Sequence, residues 1–440
     1  MPAMTRRSIL QLLGSSALVC GAGGTLSAFA QIAEPEHAAA KKTTAGGFTL
    51  NTQQSEFLED MKQRACLYFW EQASSKTGQV RDRARATGQE NQRFQASTAA
   101  TGFGLTALCI AHKHDYLPAA EVIERVRTTL RYHSEVLPQV HGFYYHFNHM
   151  ETGARSWKCE LSSIDTALLL CGVLMARSYF KQDAEIVQYA TKIYERVDWP
   201  WMLNGGKTFS MGWTPESGFL EARWNQYCEL MMIYLLAIGS PTHPVPAQLW
   251  NNFSRPTVSY AGLRYIGGNT PLFTHMYSHA WFDFRYKHDA YADYFGNSIL
   301  ATKAHKEFCL SLRKRFPEYS EDYWGISASD SEAGYQAWGG PPVQGSIDGS
   351  VVPYATAGAL PFLPADCLRV LLALKKNSLA WGRYGFVDAF HPQVKWYDQD
   401  VLGIDQGISL LMAENLCNGF VWETFMRNPE IAMAMHSVGL

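Results

Sequence analysis

The 440-residue chain has no C-x-x-C pair, no block of like charge and no unbroken apolar run of membrane-spanning length. Without clustered cysteines the usual zinc and redox signatures are missing. The 38 basic and 40 acidic side chains are evenly spread and leave a formal net charge of -2, so nothing electrostatic points to nucleic acid or an anionic membrane. A P-loop, a G-x-S-x-G elbow, an H-E-x-x-H helix and a dinucleotide fingerprint after a strand are all lacking. Strand-like alternation is scarce. What remains is carboxylate chemistry on a chain that is 47% hydrophobic and 13% aromatic, enough to bury a large core.

The first residues carry the twin arginine Arg6-Arg7, a modest apolar stretch broken by Gly and Ser, and a small-x-small site at Ala28-Phe29-Ala30. Residues 1–30 therefore read as a twin-arginine signal for export to the periplasm or beyond, cleaved before Gln31, with no membrane attachment afterwards. The stretch falls short of the roughly 20 residues a span requires. Cys20 offers a lipoprotein alternative, but "ALVC" lacks the expected leucine three places earlier. Residues 31–54, small, polar and Gly-rich, read as a flexible tether, and residues 55–440 as one domain. The eight cysteines left after cleavage are scattered, several in apolar helical runs where a thiol serves as a small hydrophobe.

From Phe57 onward, apolar residues recur at helical spacing in about ten runs, joined by long loops rich in Gly, Pro, Trp and Asp. The chain is expected to be all-α. "SIDTALLLCGVLMA" and "CELMMIYLLAIG" are apolar nearly all round and should be buried on both sides, whereas "AAEVIERVRTTLRYH" is amphipathic and should lie outside. An (α/α)6 toroid, a double-layered helical barrel, accounts for both types and gathers functional residues at one mouth. Two stacked bundles would give the same helices without that mouth. "HGFYYHFNHMETGARSWK" and "GLRYIGGNTPLFTHMYSHAWF" are candidates for short hairpins.

The candidate acids sit in aromatic, Gly-rich contexts: Glu160, Asp165, Glu229, Asp283, Asp330, Asp348, Asp388 and Asp405. Several have plain structural uses. Ser162 and Asp165 have capping-box-like spacing, Asp348 before Gly349 marks a turn, Asp283 stands two residues from Arg285, and Asp405 could cap the helix that follows. Glu229 is harder to explain, since it heads "LMMIYLLAI" with no base nearer than Arg223. An acid in an apolar wall keeps its proton to higher pH, as a general acid must.

Taken in order, "SSIDTALLL", "YCELMMIYLLAIGSPTHP", "YSHAWFDFR", "DGSVVP", "LPFLP", "WGRYGFVDAF", "IDQGISLLMAENL" and "FMRNPEI" give the chain, over about residues 55–432, a resemblance to glycoamylase-like domain proteins, the group that includes the endo-β-1,2-glucanases of glycoside hydrolase family 144. The resemblance implies the (α/α)6 toroid and an inverting hydrolase of soluble β-glucan acting outside the cytoplasm; separately, no cofactor or metal and a monomeric state are expected. Inversion divides the work between two carboxylates roughly 6.5–9.5 Å apart. By the resemblance Glu229 is the acid and Asp405 the base, with Asp388 second. Glu160, Asp165 and Arg285 would bind sugar hydroxyls, with Asp283, Asp330 and Asp348 as further contacts, and Trp224, Tyr277, Trp281 and Trp338 would be stacking surfaces. The chain departs from the family pattern at Gly296, around Asp330, and at Cys417 and Asn418. These departures are expected in cleft loops and bear on linkage and chain-length preference. Another β-glucan glycosidase or transglycosylase, or a glycan-binding envelope protein without turnover, is the alternative.

Overall fold

The computed structural model describes residues 42–44, 46–90, 93–268, 271–341 and 346–440. The expected signal, residues 1–30, and most of the expected tether lie outside the described residues. The last part of that tether is structured. Lys42–Thr43 pairs with Thr49–Leu50, and Asn51 caps the first helix through a reciprocal pair of bonds with Gln54. Leu50 is buried, so residues 49–54 belong to the folded unit.

Thirteen α-helices follow among the described residues: α1 (Thr52–Glu71), α2 (Thr98–Lys113), α3 (Ala119–Glu135), α4 (Ser163–Tyr179), α5 (Ala184–Glu195), α6 (Trp199–Leu203), α7 (Met231–Ile238), α8 (Tyr294–Ser311), α9 (Pro353–Ala357), α10 (Pro364–Lys375), α11 (Gly403–Asn418), α12 (Phe420–Phe425) and α13 (Pro429–Ser437). They fall into the two expected types. In α2, α4, α7, α9 and α11 nearly every residue is buried, whereas α3 buries one stripe, Val122, Val126, Thr129, Leu130, His133 and Ser134. A helix apolar all round needs neighbours on every side, and a striped one needs them on one side only. Accordingly α2 packs against α4 and α11, α4 against α7, and α9 against α11, while α1, α3, α5 and α10 lie outside them. The short 3-10 segments Leu272–His275 and Tyr277–Ala280 complete the buried layer.

Close packing inside this layer depends on glycine. A Cβ on Gly102 of α2 would stand 2.2 Å from the Leu168 carbonyl oxygen, and one on Gly172 of α4 would stand 2.0 Å from that of Gly102. The two helices therefore touch backbone to backbone.

Three buried helices begin directly from short strands. Gln95–Ser97 pairs with Phe147–His149 ahead of α2, Leu161–Ser162 with Gly212–Thr214 ahead of α4, and Asp400–Leu402 with Arg83–Arg85 ahead of α11. Hairpins form at the leading edge of both candidate stretches, with first strands Gln139–Val140 and Thr257–Tyr260 lying ahead of them and turns at His141-Gly142 and Ala261-Gly262, where all four residues have positive φ as a two-residue turn of this kind requires. The eight cysteines of the described residues are buried thiols, and none of the described helices is long and apolar enough to cross a membrane.

Candidate active site

The starts of the buried helices carry the buried acids. At α4, the Ser162 hydroxyl accepts from the Asp165 amide at 3.2 Å and donates to the Asp165 carboxylate. Half of the expected capping box is thus realised, but the same carboxylate has a second neighbour. His146 places Nε2 3.4 Å from Asp165 and Nδ1 3.2 Å from Glu160. A carboxylate only accepts, so the ring donates to both when both nitrogens carry hydrogen. Glu160, Asp165 and His146 form one buried cluster on the rim of α4.

A second cluster surrounds the start of α11. Asp405, in the first turn of that helix, is buried and receives the Tyr277 hydroxyl at 3.4 Å. Asp388 lies in hydrogen-bonding contact with it and also accepts the Asp330 amide at 2.6 Å. Burial first, then the charges of Asp405, Asp330 and Asp398, push the Asp388 carboxyl well above its usual range. Asp388, the second choice for the base, and Asp405 thus form one buried carboxyl pair, and the proton held there belongs to the pair. Arg83 reaches Asp330 at 2.5 Å, although burial outweighs it and raises the Asp330 pKa.

Asp398 closes this cluster, pushed up to about 8 by burial and then by Asp330. Its folded value lies above the ordinary 3.8, so the folded protein holds a proton that the unfolded chain releases. The stabilisation is full below about pH 4 and is lost as pH rises through about 8. The melting temperature is therefore expected to fall between about pH 5 and pH 9, and Asp398→Asn to flatten that decline. A profile unchanged by the substitution would show that Asp398 titrates elsewhere.

Two groups have the spacing of metal ligands among the described residues: His146, Glu160 and Asp165, and Asp330, Asp388 and Asp398. In the first, both ring nitrogens already face carboxylates; in the second, the Arg83 guanidinium pairs with Asp330 at 2.5 Å.

Glu229 is buried, but not inside a helix as its sequence context suggested. The helix begins only at Met231, because the preceding residues are engaged elsewhere: the Tyr227 amide donates to the Ser254 carbonyl at 2.8 Å, and Gln226 bridges to Ser254. Glu229 therefore occupies the turn just ahead of α7. Its carbonyl accepts the Ser278 hydroxyl at 2.8 Å, next to Tyr277, whose own hydroxyl reaches Asp405. Glu229 and Asp405 are thereby tied to consecutive residues of one short segment.

Other expected contacts lie elsewhere. Trp281 is fully buried, its indole donating to Thr106 in α2, and Trp224 and Trp338 spend theirs on Ser163 and Ser329. Tyr277 packs edge-on against Phe103 and Phe273, so it orients Asp405 and offers no free face. None of the four is a stacking surface. Asp283 binds Arg285 at 2.8 Å, and that guanidinium lies over Trp422 in α12, beyond the far end of α11, so the pair is structural. Asp348 accepts the amide and hydroxyl of Ser350 around Gly349, the turn its sequence predicted.

The departures also fall outside the expected cleft loops, apart from Asp330. Gly296 is in the first turn of outer helix α8, and Cys417 and Asn418 end α11. His146, Asp398 and Arg83 were not singled out from the sequence. The histidine-rich run around His146 was a visible signal, whereas Arg83 and Asp398 join the cluster through Asp330, far from Arg83 in the sequence.

Comparison with known proteins places these features in company. Residues 221–429 match the glycoamylase family model, described as "Putative glucoamylase". The chain is similar to an endo-β-1,2-glucanase from Chitinophaga pinensis, solved with sophorotriose and glucose, with TM-score 0.82 and 25% identity over 88% of this chain and 98% of that one. It is 26% identical, over 87% of its own length, to an exo β-1,2-glucooligosaccharide sophorohydrolase (non-reducing end) of Parabacteroides distasonis, and spans 58% of that relative. An endo-β-1,2-glucanase from Talaromyces funiculosus shares the fold, with TM-score 0.63, 12% identity and coverage of 88% of this chain and 90% of that one.

Proposed function

We propose that this chain, similar along most of its length to glycoamylase-like β-1,2-glucanases, is a glycoside hydrolase that cleaves β-1,2-glucan by single-step inversion on an (α/α)6 toroid. The observation that carries the reading is the pair of buried acids, Glu229 and Asp405, at the starts of two buried helices and joined through the Tyr277-Ser278 segment. Closing six helix pairs into a ring sets α7 and α11 three places apart, across the opening. Glu229 then protonates the departing glycosidic oxygen. Asp405, kept charged by a neighbour that holds its own proton, draws a proton from the attacking water. Asp388 acts through Asp405, Tyr277 fixes its orientation, and Glu160 and Asp165 accept hydroxyls of the bound sugar.

The test is a screen of purified protein on linear β-1,2-, β-1,3-, β-1,4- and β-1,6-glucans, with reducing ends and the anomer of the first product as readouts. Release from the β-1,2-glucan alone, with inversion, is expected. Folded protein that binds the glucan and releases nothing would make this a glycan-binding protein instead. The sophorohydrolase relative favours a second reading, removal of disaccharide from the non-reducing end. Disaccharide as the sole early product supports that reading, and a spread of lengths supports endo cleavage. The Arg6-Arg7 motif supports a site of action outside the cytoplasm.

A further inference from the structure

Of the chain's 13 tryptophans, Trp157 is the one that stands exposed, at 50%, and it does so in an unusual backbone. Trp157 and Lys158 both have φ of 52°, two successive residues with side chains in the left-handed region. Each such residue is held in a sparsely populated conformation by what surrounds it. The restraints are specific. The Arg155 guanidinium donates to the carbonyls of Lys158 and Cys159, grips both carboxylate oxygens of Glu216 at 2.7 and 3.0 Å, and lies over the Tyr145 ring. The Ser156 amide donates to the Phe147 carbonyl at 3.0 Å, and the Cys159 amide to that of Ser156.

This clamp sets the Trp157 ring edge-on against Phe147, with centroids 5.1 Å apart, and Phe147 stacks on His146 at 3.9 Å. His146 is the residue that bridges Glu160 and Asp165. An exposed indole needs no explanation by itself. A strained and clamped one, joined through Phe147 to the histidine that bridges two carboxylates, calls for an occupant. An aromatic face beside hydrogen-bond acceptors matches a pyranose ring, which presents C–H bonds on its faces and hydroxyls at its edge.

We propose that Trp157, with Glu160 and Asp165, forms a sugar-binding subsite on the rim of the mouth that holds a glucosyl unit away from the bond being cleaved. This rests on the β-1,2-glucan reading above and adds to it a basis for chain-length preference. Trp157 carries the stacking and touches no reacting atom. His146 is a positioning residue that keeps both carboxylates facing the sugar.

The experiment is calorimetric binding of β-1,2-linked gluco-oligosaccharides, short and long, to Glu229→Gln protein with and without Trp157→Ala. Trp157→Ala is expected to weaken the long oligosaccharide by about tenfold and the short one by less than about twofold, and Trp157→Phe to restore most of the loss. An unchanged melting temperature confirms that the alanine acts on the ligand. Equal affinities with and without Trp157→Ala, or equal losses for both lengths, overturn the subsite, as does a parent that binds no oligosaccharide. Turnover of otherwise native protein is scored separately. Trp157-dependent binding without hydrolysis keeps the subsite and removes the hydrolase reading.

Discussion

Glu229→Gln and Asp405→Asn are each expected to lower kcat on β-1,2-glucan by on the order of 10²–10⁴-fold, the range general acid or base catalysis supplies. Both changes keep shape and hydrogen-bonding reach while removing the transferable proton or the charge. The protein should therefore stay folded, with KM changed far less than kcat. The two roles separate on a substrate with a good leaving group. Such a group departs without protonation, so it should recover much of the activity of Glu229→Gln and none of that of Asp405→Asn. Asp388→Asn should be milder than Asp405→Asn, because an amide imitates the neutral carboxyl that burial and neighbouring charge favour there. Wild-type rates for both Glu229→Gln and Asp405→Asn would remove the assignment.

Glu414→Ala is expected to destabilise the fold by about 3–5 kcal/mol, as removal of one member of a buried ion network does. Glu414 is fully buried in α11 and meets Lys62 at 2.9 Å, Lys113 at 3.1 Å and His114 at 2.9 Å. Burial alone would raise its pKa, but the bonds and charges of His114, Lys62 and Lys113 outweigh burial and hold it well below the carboxylate range. Lys62 shifts upward for the reciprocal reason, burial being overcome mainly by Glu414. Truncation leaves that ammonium in the core with only the half-exposed Glu59, at 3.0 Å, as a carboxylate partner among the described residues. A folded pKa below the unfolded one means this stabilisation is present above about pH 4.5 and lost as pH falls from there. Denaturant unfolding at pH 7 and pH 4 reads both effects. A loss under 1 kcal/mol at pH 7 would contradict the account, and replacing Lys62 and Glu414 together by methionine should be less harmful than Glu414→Ala.

How far the sequence speaks depends on whether the determinant is local. The period of 3.6 and the contrast between all-apolar and striped helices identified the buried and outer layers, because burial acts on each helix separately. The turn at Asp348-Gly349 was legible for the same reason. Glu229 stood out because an acid among apolar neighbours is a local signal, whereas Asp405 was singled out by the family resemblance. The start of α7 was misplaced because Ser254, 27 residues after Tyr227, takes the Tyr227 amide away from the helix. Arg83 and Asp330 are 247 positions apart, a pairing no periodicity announces. The stacking residues were misassigned because an aromatic-rich segment looks alike whether its rings fill a core or face solvent. Trp281 does the first and Trp157 the second.

The bare contact between Gly102 and Gly172 bears on motion. With no side chain between them, α2 and α4 have nothing to compress and no cushion on which to slide, so this stretch of the wall behaves as a fixed jaw. Whatever flexing admits a polymer and lets its fragments go must then be borne by the connecting segments around it.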